Sequence, residues 1–371
     1  MSAHALTAGS TGAARANLIG LPGEALTEWF EALGERPFRA RQLMRWIYQR
    51  RVLEFDAMTD LSVALRAELR AVASLDVPRV ISAHASADGT RKWLLDVGGG
   101  QAVETVYIPE PNRGTLCISS QAGCALDCAF CATGKQGFNR NLTAAEILGQ
   151  VLAAGSDLAE AEISNVVFMG MGEPLANYKH VLPVVRLLLD DLAFGLSRRR
   201  VTISTAGLVP QIRRLAVDCN VALAVSLHAP EDGLRDELVP INRIHPIADL
   251  LDACWRYAEV LASRQITFEY VMLDGVNDSP AQARALARLL KSRPAKVNLI
   301  PFNSFPGGGF RCSAPAAIDA FWHVLKAAGI VATIRRPRGD DIAAACGQLA
   351  GRVRDRRTVR LSEKSVGAGT L

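Results

Sequence analysis

The stretch CISSQAGCALDCAFCATG, beginning at residue 117, brings Cys117, Cys124, Cys128 and Cys131 close together. Cys124, Cys128 and Cys131 follow C-x3-C-x2-C spacing. That spacing suits a cubane iron–sulfur cluster held by three thiolates, with one iron left open to chelate an amine and a carboxylate. Cys117 is then left over. Zinc is the rival metal, because it takes four ligands and Cys117 could be the fourth. Against zinc, Cys117 sits inside the strand-like run TLCISS, so its side chain need not face the way the loop faces. Chance clustering of buried cysteines is the plainest alternative.

Four other cysteines complete the eight in the chain. Cys219, Cys254 and Cys312 stand in ordinary contexts and read as packing residues, and Cys346 in AAACGQL would by itself read the same way. The first residues, MSAHALTAGSTGAARAN, lack the apolar block of a secretory signal, and no run is long enough to span a bilayer. A cytoplasmic protein without membrane contact is expected, so a structural disulfide framework is not.

The three-cysteine loop follows a strand, and the elements around it repeat that order. TLCISS, SNVVFMG, RVTISTAG, VALAVSLH, ITFEYVML and KVNLIPFN are apolar, β-branched runs, and GIVATIRR adds a last one before the Cys346 loop. Helical patterns such as TAAEILGQVLAAG and SPAQARALARLLKS separate them. Strand–helix alternation predicts a parallel sheet, curled by right-handed crossovers into a partial (β/α)6 barrel with working loops at the carboxyl ends of the strands. Upstream, LPGEALTEWFEALG, PFRARQLMRWIYQR and LSVALRAELRAVASL predict a small helical module. RVISAHAS and KWLLDVG flank Asp88-Gly89, a hairpin signal. The expected organisation is a disordered tail over 1–20, a helical accessory domain over 21–84, a β linker over 85–113, the barrel over 114–350 and a basic tail over 351–371.

Net charge is +5, from 42 Lys+Arg against 37 Asp+Glu. SRRR at 197–200, IRR at 212–214, RRPR at 335–338 and RVRDRRTVR at 352–360 concentrate the positive charge. Each alone is an ordinary solvated face; together they make a phosphate backbone a reasonable partner.

The cluster motif with its strand-then-loop setting resembles the radical S-adenosylmethionine (SAM) superfamily. CISSQAGCALDCAFCATGKQGFNRNLTAAEI, VVFMGMGEPLANY, VTISTAG, AVSLHAP, INR and RRPRGDDIAAACGQL, in that order, resemble the RlmN branch of the RlmN/Cfr methyltransferases. The similarity runs from the helical module to Gly347. It implies a partial radical-SAM barrel binding a [4Fe-4S] cluster through Cys124, Cys128 and Cys131. SAM contacts would come from Gly172, Glu173, Ser204, Ser226, Leu227, His228 and Asn303. Without the resemblance, GxGEP is a plain strand-to-helix turn and His228 a satisfied structural histidine.

The same resemblance implies methylation of C2 of an adenine in 23S rRNA and in certain tRNAs, with two SAM molecules per turnover. That carbon is not nucleophilic, so polar methyl transfer fails there. In the family, SAM methylates a cysteine, matched here by Cys346. A 5′-deoxyadenosyl radical then takes hydrogen from the S-methyl group, and the methylene radical adds to the adenine. A second cysteine, matched by Cys117, resolves the adduct through a transient disulfide. Glu104, in AVETVYIP, matches the family's candidate base. The helical module would help grip folded RNA, a flavodoxin-like or ferredoxin-like protein would supply electrons, and the chain would act as a monomer. Three alternatives stay open at this level: a Cfr-type enzyme methylating adenine C8, a non-enzymatic RNA-binding protein with a structural metal, and a radical SAM enzyme for a small molecule.

Overall fold

The computed structural model describes residues 15–158, 163–261, 265–336 and 338–354. Its frame is a ten-stranded sheet. Two short strands, β1 (Ala16–Asn17) and β2 (Ala73–Ser74), pair in parallel apart from it. The main sheet uses β3 (Arg79–Ala85), β4 (Arg91–Asp96), β5 (Ala102–Glu110) and β6 (Arg113–Cys117). A small antiparallel hairpin of β7 (Gln121–Gly123) and β8 (Phe138–Asn141) carries the cysteine loop between its strands. The main sheet continues with β9 (Asn165–Phe168), β10 (Val201–Thr205), β11 (Ala222–Ser226), β12 (Ile266–Met272), β13 (Ala295–Pro301) and β14 (Val331–Ile334).

Strand order across the sheet is β14-β13-β12-β11-β10-β9-β6-β5-β4-β3. From β6 to β14 every neighbour is parallel, and helices fill the crossovers. The expected alternation is therefore present, as a partial barrel whose ends do not meet. The helix Ala144–Asp157 shows how local sequence sets these boundaries. Thr143 accepts from the Glu146 N–H while the Glu146 carboxylate accepts from the Thr143 N–H, a reciprocal cap at the helix start.

Three boundaries differ from expectation. Residues 15–20 are not tail: β1 pairs with β2, and Leu18 and Ile19 are buried in the core of the helical module. Their short apolar run has no periodicity of its own, and only pairing with residues that follow the helices reveals it. Residues 1–14, the rest of that tail, lie outside the described residues. Residues 85–113 are not a linker either. β3, β4 and β5 extend the main sheet antiparallel from β6, and β3 already begins at Arg79. The hairpin turn stands as read, with Gly89 at φ +84° and its N–H donating to Ser86.

Finally, residues 351–354 belong to the body. Past β14 the chain doubles back over the barrel mouth, and Ala102 and Arg352 exchange two backbone hydrogen bonds of 2.8 and 3.0 Å. Residues 355–371, the remainder of the expected basic tail, lie outside the described residues.

The helical module seats on the barrel through apolar and polar contacts. Tyr48 packs on Phe194, Gln49 donates to Asp191 O, and Arg51 donates to Gly155 O. Among the described residues no helix is long and apolar enough to cross a membrane.

Candidate active site

β6 delivers the chain to the cysteine loop, and a buried polar hub fixes its exit. Gln150, wholly buried, accepts from the Ser119 N–H and donates to the Ser119 carbonyl, both at 2.8 Å. Ser119 in turn donates to Glu104 O and accepts from Met171 N–H. Gly123 then turns with φ +82°; a Cβ there would meet Gly137 O at 2.0 Å, so only glycine lets the hairpin close.

Cys124, Cys128 and Cys131 all face one open cavity at the carboxyl ends of the parallel strands. Burial pushes the thiols up, Cys124 to about 12, and their mutual proximity adds to the shift. Among the described residues no group of three or more His, Cys, Asp or Glu side chains is disposed around a single metal position. A cubane cluster distributes its three thiolates over three irons, which the donor set fits.

The same cavity is lined by Gly170, Gly172, Glu173, Ser204, Ser226, His228, Glu269 and Asn303. Gly172 has φ +94°, and a Cβ would strike the Gln121 side chain at 2.4 Å. Glu173 is buried and pushed up to about 7 by that burial, although its oxygens accept from the Leu175 and Ala206 N–H groups. Its carboxylate thus ties the ends of β9 and β10 together. His228 is held neutral. Burial lowers it to about 3, its Nδ1 accepts from the Val271 N–H at 3.0 Å, and its ring meets Phe130 edge-on. Leu227, expected beside Ser226 and His228, turns its side chain into the core and does not line the cavity.

Sequence reasoning passed over two residues here. Glu269 on β12 accepts from Asn298 through Oε1, while its buried Oε2 has no partner. That orphan acceptor faces a cavity able to hold a ligand with hydroxyl or ammonium donors, as SAM has. Arg235 is wholly buried behind the cavity wall. It donates to the carbonyls of Leu227, Ala206 and Ser226 and to Asn242 Oδ1, joining the ends of β10 and β11. Burial lowers it to about 10, and the Cys128 thiol opposes that. The amphipathic helix DGLRDEL gives no sign that this arginine points inward.

Cys117 does not join the three-cysteine loop. It lines a second, much smaller cavity with Val106, Ile108, Met169, Arg335, Arg336, Arg338 and Cys346. Burial raises its thiol to about 12, the Cys346 sulfur adds to this, and the Arg335 guanidinium opposes it. Cys346, Asn303, Met169, Ile300 and Arg335 border both cavities. The Cys346 loop docks directly on the cysteine loop: the Ala132 N–H donates to Gly347 O and the Thr133 hydroxyl to Leu349 O. Glu104 shares the β5 face of Val106 and Ile108 but borders neither cavity. Its carboxylate is engaged with Lys92 at 3.0 Å and with the Ala350 N–H at 2.8 Å.

Residues 16–75 match the family described as ribosomal RNA large subunit methyltransferase N-terminal domain, and residues 118–287 match the radical SAM superfamily. A radical SAM methyltransferase from Sphaerobacter thermophilus is 46% identical, with 90% of this chain and 99% of that one covered and a TM-score of 0.85. More distant are a domain of pyruvate-formate lyase-activating enzyme from Bacteroides vulgatus (18% identity, 47% of this chain and 99% of that one, TM-score 0.37) and SuiB from Streptococcus suis bound to S-adenosylmethionine (14%, 61% and 52%, 0.43). A [4Fe-4S] cluster and SAM are the cofactors of this superfamily, and the thiol loop and its cavity suit both. With its two matched domains and its near full-length likeness to a solved enzyme, the chain belongs to the radical SAM methyltransferases of the RlmN type.

Proposed function

We propose that this chain methylates C2 of an adenine in 23S rRNA and of an adenine in certain tRNAs, using Cys346 as methyl carrier and Cys117 as resolving thiol. The observation that carries the reading is the place of Cys346. It stands between a cavity bearing three thiols and a cavity bearing one. A carrier must visit both a methyl source and a resolving partner, and this position borders both.

Bound together, cluster and SAM supply a 5′-deoxyadenosyl radical that activates the S-methyl group. Cys124, Cys128 and Cys131 would hold the cluster. Gly172, Glu173, Ser204, Ser226, His228 and Asn303 shape the space beside it, and the Glu269 Oε2 offers an acceptor. Neutral His228 adds no charge to repel a sulfonium. On the other side, Cys117 lies at the carboxyl end of β6 facing Cys346. Attack of its thiolate on the Cys346 sulfur forms the disulfide and breaks the sulfur–methylene bond, whose electron pair leaves with the carbon; that carbon takes up a proton and becomes the methyl group of the freed base. Its thiol is poorly ionised in the closed site, and Arg335 is the cation placed to favour the thiolate. Glu104 would receive the proton from the substituted carbon, which requires its carboxylate to leave the Ala350 N–H. The target base must leave its stack to reach Cys346 between the two cavities.

The unequal duties of the two cysteines give the test. Cys346→Ala should transfer no methyl group and form no adduct. Cys117→Ala should accumulate protein covalently joined to RNA through Cys346, seen as a band that survives denaturation. Equal loss of iron in both variants, or no trapped RNA in either, would make Cys117 a ligand or a packing residue and overturn the reading. Mass spectrometry of the modified nucleoside distinguishes methylation at C2 from C8.

A further inference from the structure

Both ends of the Cys346 loop terminate on one ion pair. At the start of the loop, Lys92 Nζ donates to Ala343 O at 3.1 Å. At its end, the Ala350 N–H donates to Glu104 Oε2 at 2.8 Å. Lys92 and Glu104 are joined to each other at 3.0 Å, with side chains 12% and 10% exposed. That shielding keeps their attraction stronger than at an open surface. Cys346 lies between the two anchor points. The middle of the loop is gripped through Gly347 O, Gln348 and Leu349 O. Local turn bonds from Ala343 N–H to Asp340 O and from Ala344 N–H to Gly339 O support its start, and the Ala102–Arg352 pair lies just beyond its end. Ala343 also needs holding, since it sits at φ +49°, where a side chain is strained.

We propose that Lys92 is a positioning residue which, paired with Glu104, clamps both ends of the loop and so sets where the Cys346 sulfur stands between the two cavities. Glu104 without its charge would hold Lys92 far more weakly, and both ends would loosen together. If Glu104 is the base, as proposed above, the clamp opens as its carboxylate leaves the Ala350 N–H to take the proton, and protonation keeps it open. That last link rests on the functional reading, whereas the clamp does not.

Hydrogen exchange on the reconstituted holoenzyme, resolved by peptide mass spectrometry, reads the clamp without RNA or turnover. Lys92→Met and Glu104→Gln should each lose protection across 343–350 several-fold, with the parallel strands unchanged, and Lys92→Arg should retain it. Wild-type protection of 343–350 in Lys92→Met, or an equal loss throughout the sheet, would overturn the proposal. A second measurement follows methyl transfer into Cys346: Lys92→Met should lower kcat with the KM for SAM unchanged, and Lys92→Arg should restore it. Should exchange respond as expected while wild-type Cys346 never acquires a methyl group, the functional reading fails and the clamp stands.

Discussion

His228 shows how much one side chain can depend on its surroundings. Its ring is buried, set edge-on to Phe130, and committed through Nδ1 to accepting the Val271 N–H, so the protonated form has no place there. The unfolded chain, with an ordinary histidine near 6.5, takes up a proton that the fold refuses until about 3. The stabilisation is therefore complete above pH 6.5 and is lost progressively as pH falls from 6.5 towards 3, by about 2 kcal/mol at pH 5. Asparagine tolerates the positive φ of this position, and its amide oxygen can replace the ring acceptor. His228→Asn should thus lose less stability than wild type between pH 7 and pH 5 in urea denaturation. Equal losses would show that the acid limb arises elsewhere. At this scale the sequence was readable only where residue type and spacing coincide. Cys124, Cys128 and Cys131 announce themselves. Cys346 and Cys117, distant in the chain, could be paired only through resemblance, and Glu269 and Arg235 gave no signal at all.

Among the elements, the parallel strands are held at their carboxyl ends by side chains more than by backbone. Arg235 gathers three carbonyls from the ends of β10 and β11, and Glu173 gathers N–H groups from the segments after β9 and β10. Replacing Arg235 by Met would leave buried acceptors without a donor, at a cost of roughly 3–5 kcal/mol in denaturant stability. Lysine should not restore it, because one ammonium cannot reproduce the planar fork that reaches both strands. A loss below 1 kcal/mol would mean that water takes over these carbonyls. The β/α alternation itself was legible from β6 to β14, since apolar runs and capped helices are local signals. What was not legible is pairing. The two-residue strands β1 and β2 are too short to show a period, and nothing in β3 to β5 says which sheet they join. Register across distant segments is decided by packing, not by propensity.

For the whole molecule, the fold sorts the basic clusters by end. Arg198, Arg199 and Arg200 are exposed just before β10, at the amino end of the strands, on the side away from the cavities. Arg335, Arg336 and Arg338 follow β14 and line the Cys117 cavity. An RNA that inserts a base at the mouth should therefore meet the second group. Arg336→Gln should weaken RNA binding and reduce the salt slope by about 0.7–0.9 for the phosphate lost, whereas neutralising Arg198, Arg199 and Arg200 together should change neither. The reverse pattern in a salt titration would place the RNA at the other end. The return of the chain across the mouth also fixes an order in time. Ala350 meets Glu104 across 246 positions, and Ala343 meets Lys92 across 251. Domains form as the chain emerges from synthesis, so the strands and the three-thiol loop can assemble while residues 343–352 are still being made. Contacts this remote close late. The three-thiol cavity is thus open while its mouth is still uncovered, and Cys346, the proposed methyl carrier, arrives only after the strands that shape that cavity.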